Sequence, residues 1–354
     1  MTGIPYPDSE ATAWPRSSTT GRIRASEADF FVSEDLGFEP DGDGQHQLLQ
    51  IRKTGSNTQW VARRLARAAG IAERDVGYSG LKDRRAVTEQ WFSVPADVVP
   101  QLEAYIGAEA SLELLRSVAH RRKLRRGSHA GNRFRIVIRE ILDAGSDLDG
   151  RLTKIAGGGV PNYFGPQRFG RDQGNLTLAT RLAAGQRLRR RERGFALSAA
   201  RSLMFNQLLS RRVKRQCWDR LLPGDVAALR GSRSVFRVDQ VDAALEERIQ
   251  THDIHPSGPL WGAGDLTSAA AVRELECGVG RDWAEFAELL VGSGMKQERR
   301  PLRLDVEDMR WDIDATAATL EFRLTRGGFA TAVLREILAP QTVASDHGLS
   351  RNNT

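Results

Sequence analysis

The segment NRFRIVIREI, residues 132–141, constrains the fold more than any other part of the chain. Phe134, Ile136 and Ile138 alternate with Arg133, Arg135 and Val137, so a period of two sends the two sets to opposite sides of a strand. The chain must therefore build a sheet with an apolar side. Further strands are expected around Asp29-Phe30-Phe31-Val32, over 45–52, over 88–94, and near the C-terminus over 302–313 and 319–325. Helices are expected over 96–106, 148–156, 197–213 and 329–338, and over 58–68 behind the capping chemistry of Ser56-Asn57-Thr58. Gly157-Gly158-Gly159 stops one of these helices and is the best candidate for a domain hinge. The last dozen residues are expected to fray. There is no internal repeat, and strands and helices alternate without a regular βαβ rhythm. The expected class is α+β rather than a doubly wound sheet.

At 354 residues the chain can bury a substantial core in two domains or one elaborate one. Its 40% hydrophobic and 27% charged content is that of an ordered protein. No run reaches the roughly 18 to 20 apolar residues of a membrane helix. The N-terminus lacks a cationic start followed by an apolar run, so no secretory signal is expected. Cys217 and Cys277 make neither a disulfide framework nor a zinc site, which points to a reducing cytoplasm.

Charge separates the function classes. Fifty-two Lys and Arg stand against 45 Asp and Glu, a net +7. The excess is local, in 120–126, 187–193 and 211–215. One such run is often a solvated helix face, but three of them favour a polyanion such as nucleic acid. Other chemistry is missing. No phosphate loop or dinucleotide fingerprint is present, and no nucleophile elbow. The acidic Asp41-Gly42-Asp43-Gly44 resembles a calcium loop but puts His46 and Arg52 where the turn glycine and closing glutamate belong. No metal and no nucleotide cofactor are expected.

The segment 77–91, GYSGLKDRRAVTEQW, holds a carboxylate, Asp83, between Lys82 and Arg84 in a loop opened by glycines. Neighbouring cations favour its ionised form, the form that acts as nucleophile or base. On its own the loop reads as a structural turn aspartate, paired with solvent and its neighbours.

The loop, however, resembles the signature of the TruD family of pseudouridine synthases, and matching blocks run along most of the chain. They are Asp29-Phe30-Phe31-Val32-Ser33-Glu34, Gly44-Gln45-His46 with Lys53 and Asn57-Thr58, and Gly131-Asn132-Arg133-Phe134. The most specific is 160–170, VPNYFGPQRFG. Arg201 with Phe205-Asn206-Gln207, then 258–262, GPLWG, and Phe329-Ala330-Thr331 continue the order. The resemblance implies a pseudouridine-synthase catalytic domain with a mixed or antiparallel sheet, residues 1–158 plus 304–354. An α/β domain, residues 159–303, would interrupt it. It implies isomerisation of uridine in tRNA, at position 13, with Asp83 as nucleophile on a flipped-out base. Phe134 would stack on that base, and Asn132 would read its edge or hold the Asp83 loop. Phe30, Phe329, Lys82 and Glu34 match positions around the substrate. Arg168, Arg187, Arg189 and Arg190 would contact RNA. Competing readings are a non-catalytic RNA-folding protein on this scaffold and a synthase for another RNA. A methyltransferase lacks its glycine-rich cofactor loop.

Overall fold

The computed structural model describes residues 10–142 and 147–339, so the expected fraying of the last dozen lies outside the described residues. Strands β1 (Thr20–Ile23), β2 (Phe30–Asp35) and β3 (His46–Thr54) lead into helix α1 (Thr58–Ala69). Next come β4 (Gly77–Tyr78), β5 (Val87–Pro95), α2 (Val99–Ala108), β6 (Leu112–His120) and β7 (Gly131–Leu142). The middle of the chain holds α3 (Asp147–Gly158), β8 (Val160–Pro161), α4 (Gly174–Ala183), α5 (Arg190–Lys214), β9 (Val226–Leu229) and β10 (Val235–Arg237). It continues through α6 (Ala243–Gln250), β11 (Ile254–Leu260), α7 (Ala270–Asp282), α8 (Ala284–Gly292), β12 (Glu298–Pro301) and β13 (Arg303–Leu304). Strands β14 (Glu307–Ile313) and β15 (Ala317–Thr325) and helix α9 (Ala330–Ile337) close it. The mixture is α+β, as the patterning implied.

The described residues form two compact units. One, from 19 to 142 with 307 to 327, is built on a nine-stranded sheet, seven strands in the order β14-β15-β7-β2-β5-β3-β6 with β1 added on β7 and β4 on β5. β7 is long enough to pair with β2 along 131–136 and with β1 along 138–142. Every pairing is antiparallel except β2 with β5, which makes the sheet mixed. Helix α1 starts where Asn57 accepts a hydrogen bond from the Trp60 amide at 2.8 Å, and ends where Gly70 takes φ +66°. Its buried stripe of Val61, Ala62, Leu65 and Ala66 packs with Leu102 and Ile106 of α2 against Leu49, Ile51 and Phe92 of the sheet.

The other unit comprises 10–18, 147–306 and 328–339 among the described residues. It centres on α5, whose Leu203, Phe205 and Leu208 share a core with Phe169 and Leu176, and with Leu290 of α8. A four-stranded sheet, β10-β9-β11-β12, and the short pair β13-β8 complete it. α3 and the triple glycine lie inside the second unit, where the Gly159 amide bonds the Ile155 carbonyl and a Cβ at Gly159 would stand 2.5 Å from the Leu304 carbonyl oxygen. The stretch expected as one strand over 302–313 is two. β13 pairs with β8, and β14 pairs with β15 after a break at Asp305-Val306.

Candidate active site

The register sets the site. Across β7, Phe134 stands beside Val32 and Phe322, and Asn132 beside Glu34 and Leu324. Phe30, Val32, Glu34, Asn132, Phe134 and Phe322 therefore share one sheet face. On β5 and β3, Thr88, Gln90 and Lys53 fall on that same face. The opposite face carries Phe31, Arg133, Arg135 and Glu321, which with Phe134, Phe322, Asp308 and Arg310 line a groove of about 460 Å³.

The loop from Ser79 to Ala86 lies against the motif face through a polar relay. The Thr58 hydroxyl accepts the Lys82 amide at 2.9 Å and donates to Gln90 Oε1 at 2.8 Å, and Gln90 Nε2 donates to the Gly80 carbonyl at 2.7 Å. The Gly127 amide reaches the Ser79 carbonyl at 2.7 Å. Lys82 and Arg84 do not face their neighbour Asp83 as the loop sequence suggested. The Lys82 ammonium turns inward to Glu34 Oε1 at 2.6 Å, and Arg84 donates to the Gly55 carbonyl at 3.1 Å. Glu34 is fully buried and also accepts the Trp91 amide, so this pair is an internal ion pair rather than a surface one.

The cation on Asp83 is Arg24, at 2.8 Å from Oδ2, with the carboxylate 36% exposed. Arg24 lies over the Phe30 ring at 4.0 Å, a cation–π contact that leaves its guanidinium edge for Asp83. Phe30 meets Phe134 edge-on at 6.3 Å, and Phe134 stacks on Phe322 at 5.3 Å. Asn132 Oδ1 is buried without a hydrogen-bond partner among the described residues, an acceptor that needs a donor. Arg24 and Lys53 are among the site residues to which the sequence assigned no role. Lys53 is 0% exposed, and its ammonium donates to the Ser56 carbonyl at 2.6 Å and to the carbonyl of Asp83 itself at 3.3 Å. Burial pushes its pKa down to about 8 against the opposing pull of Asp83. The available signal was parity: Lys53 continues the line Leu49, Ile51, whose side chains are core. His129, buried near Lys82 and Arg326, is pushed down to about 4 by burial and those cations, and stays neutral at pH 7.

Phe329, Arg168 and the arginine run belong to the other unit. Phe329 precedes α9, with its ring 6.0 Å from Phe164. The Phe164 segment is clamped by Asn206 of α5, whose side-chain amide accepts from the Phe164 amide at 2.9 Å and donates to its carbonyl at 3.0 Å. Gly165 allows close approach, since a Cβ there would stand 2.4 Å from Thr331 Oγ1. Arg168 lies over the Phe164 ring at 5.1 Å and donates to Ser198 at 2.8 Å, half-buried rather than extended into solvent. Arg187, Arg189 and Arg190 are exposed just before and at the start of α5. No cluster of three or more metal-ligating side chains occurs among the described residues. Nor is any helix among them long and apolar enough to cross a membrane.

The site thus sets a carboxylate beside an aromatic pair on a mixed sheet. Comparisons with known proteins place the whole chain. The family described as tRNA pseudouridine synthase D (TruD) matches residues 8–182 and 177–337. The tRNA pseudouridine synthase D of Methylococcus capsulatus is 46% identical over 321 residues, 90% of this chain and 91% of its own. That of Aeromonas salmonicida is 43% identical over 331 residues, 93% of each. A crystal structure of a putative tRNA pseudouridine synthase D from Methanosarcina mazei superposes with a TM-score of 0.72 at 21% identity, covering 94% of this chain and 97% of the other, and so shares the fold. The chain belongs to the tRNA pseudouridine synthase D family. It is accordingly an enzyme, an isomerase of the pseudouridine-synthase class.

Proposed function

We propose that this enzyme converts uridine to pseudouridine in tRNA, at position 13, with Asp83 as its nucleophile and without a cofactor, in the cytoplasm. The observation that carries this reading is the Asp83 carboxylate, accessible yet held at 2.8 Å by Arg24 beside the Phe30–Phe134 pair. The reaction breaks the N1–C1′ bond, turns the base, joins C5 to C1′ and expels the C5 hydrogen. A uridine in folded RNA must first leave its stack, at a cost of a few kcal/mol. Stacking on an aromatic ring returns roughly 1 to 3 kcal/mol. Phe134 supplies that surface on the side turned away from Phe322, while Asn132 Oδ1 accepts a donor from the uracil edge. Arg24 aims the Asp83 carboxylate. Lys82 with Glu34 supports the loop from below, and the family pattern adds Phe329 to the residues that meet the RNA. Arg168 and the arginines at 187–190 hold phosphates, which positions the RNA without reading its sequence.

The test is tritium release from C5-labelled uridine in unmodified tRNA by wild type and Asp83→Asn, with carbodiimide mapping of the modified position. Release by the wild type and none by the variant, with tRNA binding retained and the mark at position 13, is the expected result. No release by either with binding intact would instead favour an RNA-folding protein or a different RNA.

A further inference from the structure

The Asp83 carboxylate is held at its tip by Arg24. Its root is held too, by a residue with no obvious reason to be charged. Lys53 sits on β3 between β5 and β6, paired in register with Thr88 and Leu112, and no part of it is exposed. An ammonium taken fully out of water is costly. For packing alone, a Met or Leu at this position would continue the Leu49, Ile51 core line at no such cost. Instead the ammonium is directed at two backbone carbonyls, those of Ser56 and Asp83. The first anchors the turn that starts α1, whose Thr58 already carries the Lys82 amide. The second is the peptide oxygen of the nucleophile.

From this geometry we infer that Lys53 is a positioning residue for the isomerisation. Its ammonium fixes the backbone of Asp83, so that the carboxylate held by Arg24 starts from one place and points one way. Lys53 touches no reacting atom and is not a catalytic residue. Its effect belongs to the chemical step rather than to tRNA binding, because it lies beneath the loop, away from solvent. A misplacement of about 1 Å at a reacting group costs on the order of a hundredfold in rate. The depressed pKa agrees with this role, because the protein keeps a cation where burial disfavours one. The inference rests on the reading of Asp83 as the nucleophile.

The experiment uses tritium release under saturating and limiting tRNA. Lys53→Met keeps the apolar stem and removes the charge; its kcat should fall by roughly a hundredfold, with KM for tRNA within about twofold of wild type. Lys53→Ala leaves a space for propylammonium, which should restore release, while 1-propanol of the same size should not. A kcat for Lys53→Met within about threefold of wild type would overturn the inference, as would equal rescue by the alcohol, which would make Lys53 a volume filler. Asp83→Asn separates the two ideas. If that variant still releases tritium, the reading of Asp83 fails whatever Lys53 does. If it is inert while Lys53→Met is near wild type, only the present inference fails.

Discussion

Lys82 and Glu34 show how a motif residue supports a site without facing it. Their charged ends meet at 2.6 Å with side-chain exposures of 6% and 0%. Removing one partner of a buried pair strands the other charge, which typically costs about 3–5 kcal/mol, whereas replacing both is close to neutral. Lys82→Met should therefore lower the unfolding free energy by about that amount. Glu34→Gln added to Lys82→Met should recover most of the loss, because the amide oxygen can still accept the Trp91 amide. Denaturant titration of the two variants measures it. A single-variant loss under about 1 kcal/mol would mean that water reaches the pair and that it behaves as a surface bridge. The loop sequence suggested that Lys82 served Asp83 directly. It serves instead by holding the loop down, so its replacement should change stability and activity together.

Helix α5 carries a charge arrangement that its own stability does not favour. Arg190, Arg191 and Arg193 lie in its first turn, where the helix dipole is positive and cations cost roughly 0.3–1 kcal/mol each. Only Glu192, whose carboxylate accepts the Arg189 amide, has the helpful sign there. A polyanion reverses the balance, since phosphates meet both the dipole and the arginines. Replacing Arg187, Arg190 and Arg191 with Gln should leave the fold equally or slightly more stable while weakening tRNA binding. The salt dependence of that binding should flatten by about 0.7–0.9 for each phosphate no longer neutralised. An unchanged slope would remove this face from the RNA interface. At this scale the sequence was most informative. The alternation of β7, the Asn57 cap of α1 and the apolar spacing of α5 all correspond to observed elements because each is a local pattern. The break inside 302–313 was not legible, because long-range partners make it. Asp305 is bonded by His252 Nδ1 at 2.7 Å and His255 Nε2 at 3.1 Å, side chains some fifty positions away along the chain. Arg24 was hidden for the same reason: its partner Asp83 is brought to it by the fold, and nothing around residue 24 announces a carboxylate.

At the scale of the whole molecule, the first described residues, 10–15, pack against elements far along the sequence. The Ala11 amide donates to Ser210 at 3.0 Å, and Tyr163 Oη donates to the Ala11 carbonyl at 2.9 Å. Arg335 binds Glu10, and Arg151 donates to the Pro15 carbonyl at 2.9 Å. The Ala13 amide donates to Glu336 Oε2 at 3.0 Å. Glu336 is almost wholly buried, and burial raises its pKa to about 7 although Arg335 and Arg151 pull it the other way. A carboxyl with a folded pKa near 7 and an unfolded one near 4.5 binds a proton more tightly in the folded state. Its contribution to stability is therefore fully present below pH 4.5 and is lost as pH rises through 7. Glu336→Gln keeps an oxygen for the Ala13 amide and removes the charge. It should match wild type near pH 5 and be more stable at pH 8, by on the order of 2 kcal/mol. Paired thermal or denaturant melts at the two pH values read that difference directly. Equal stability at both would mean that Glu336 stays ionised in the folded protein, satisfied by Arg335 and Arg151. A variant less stable at both would mean that the carboxylate itself holds the N-terminal segment in place.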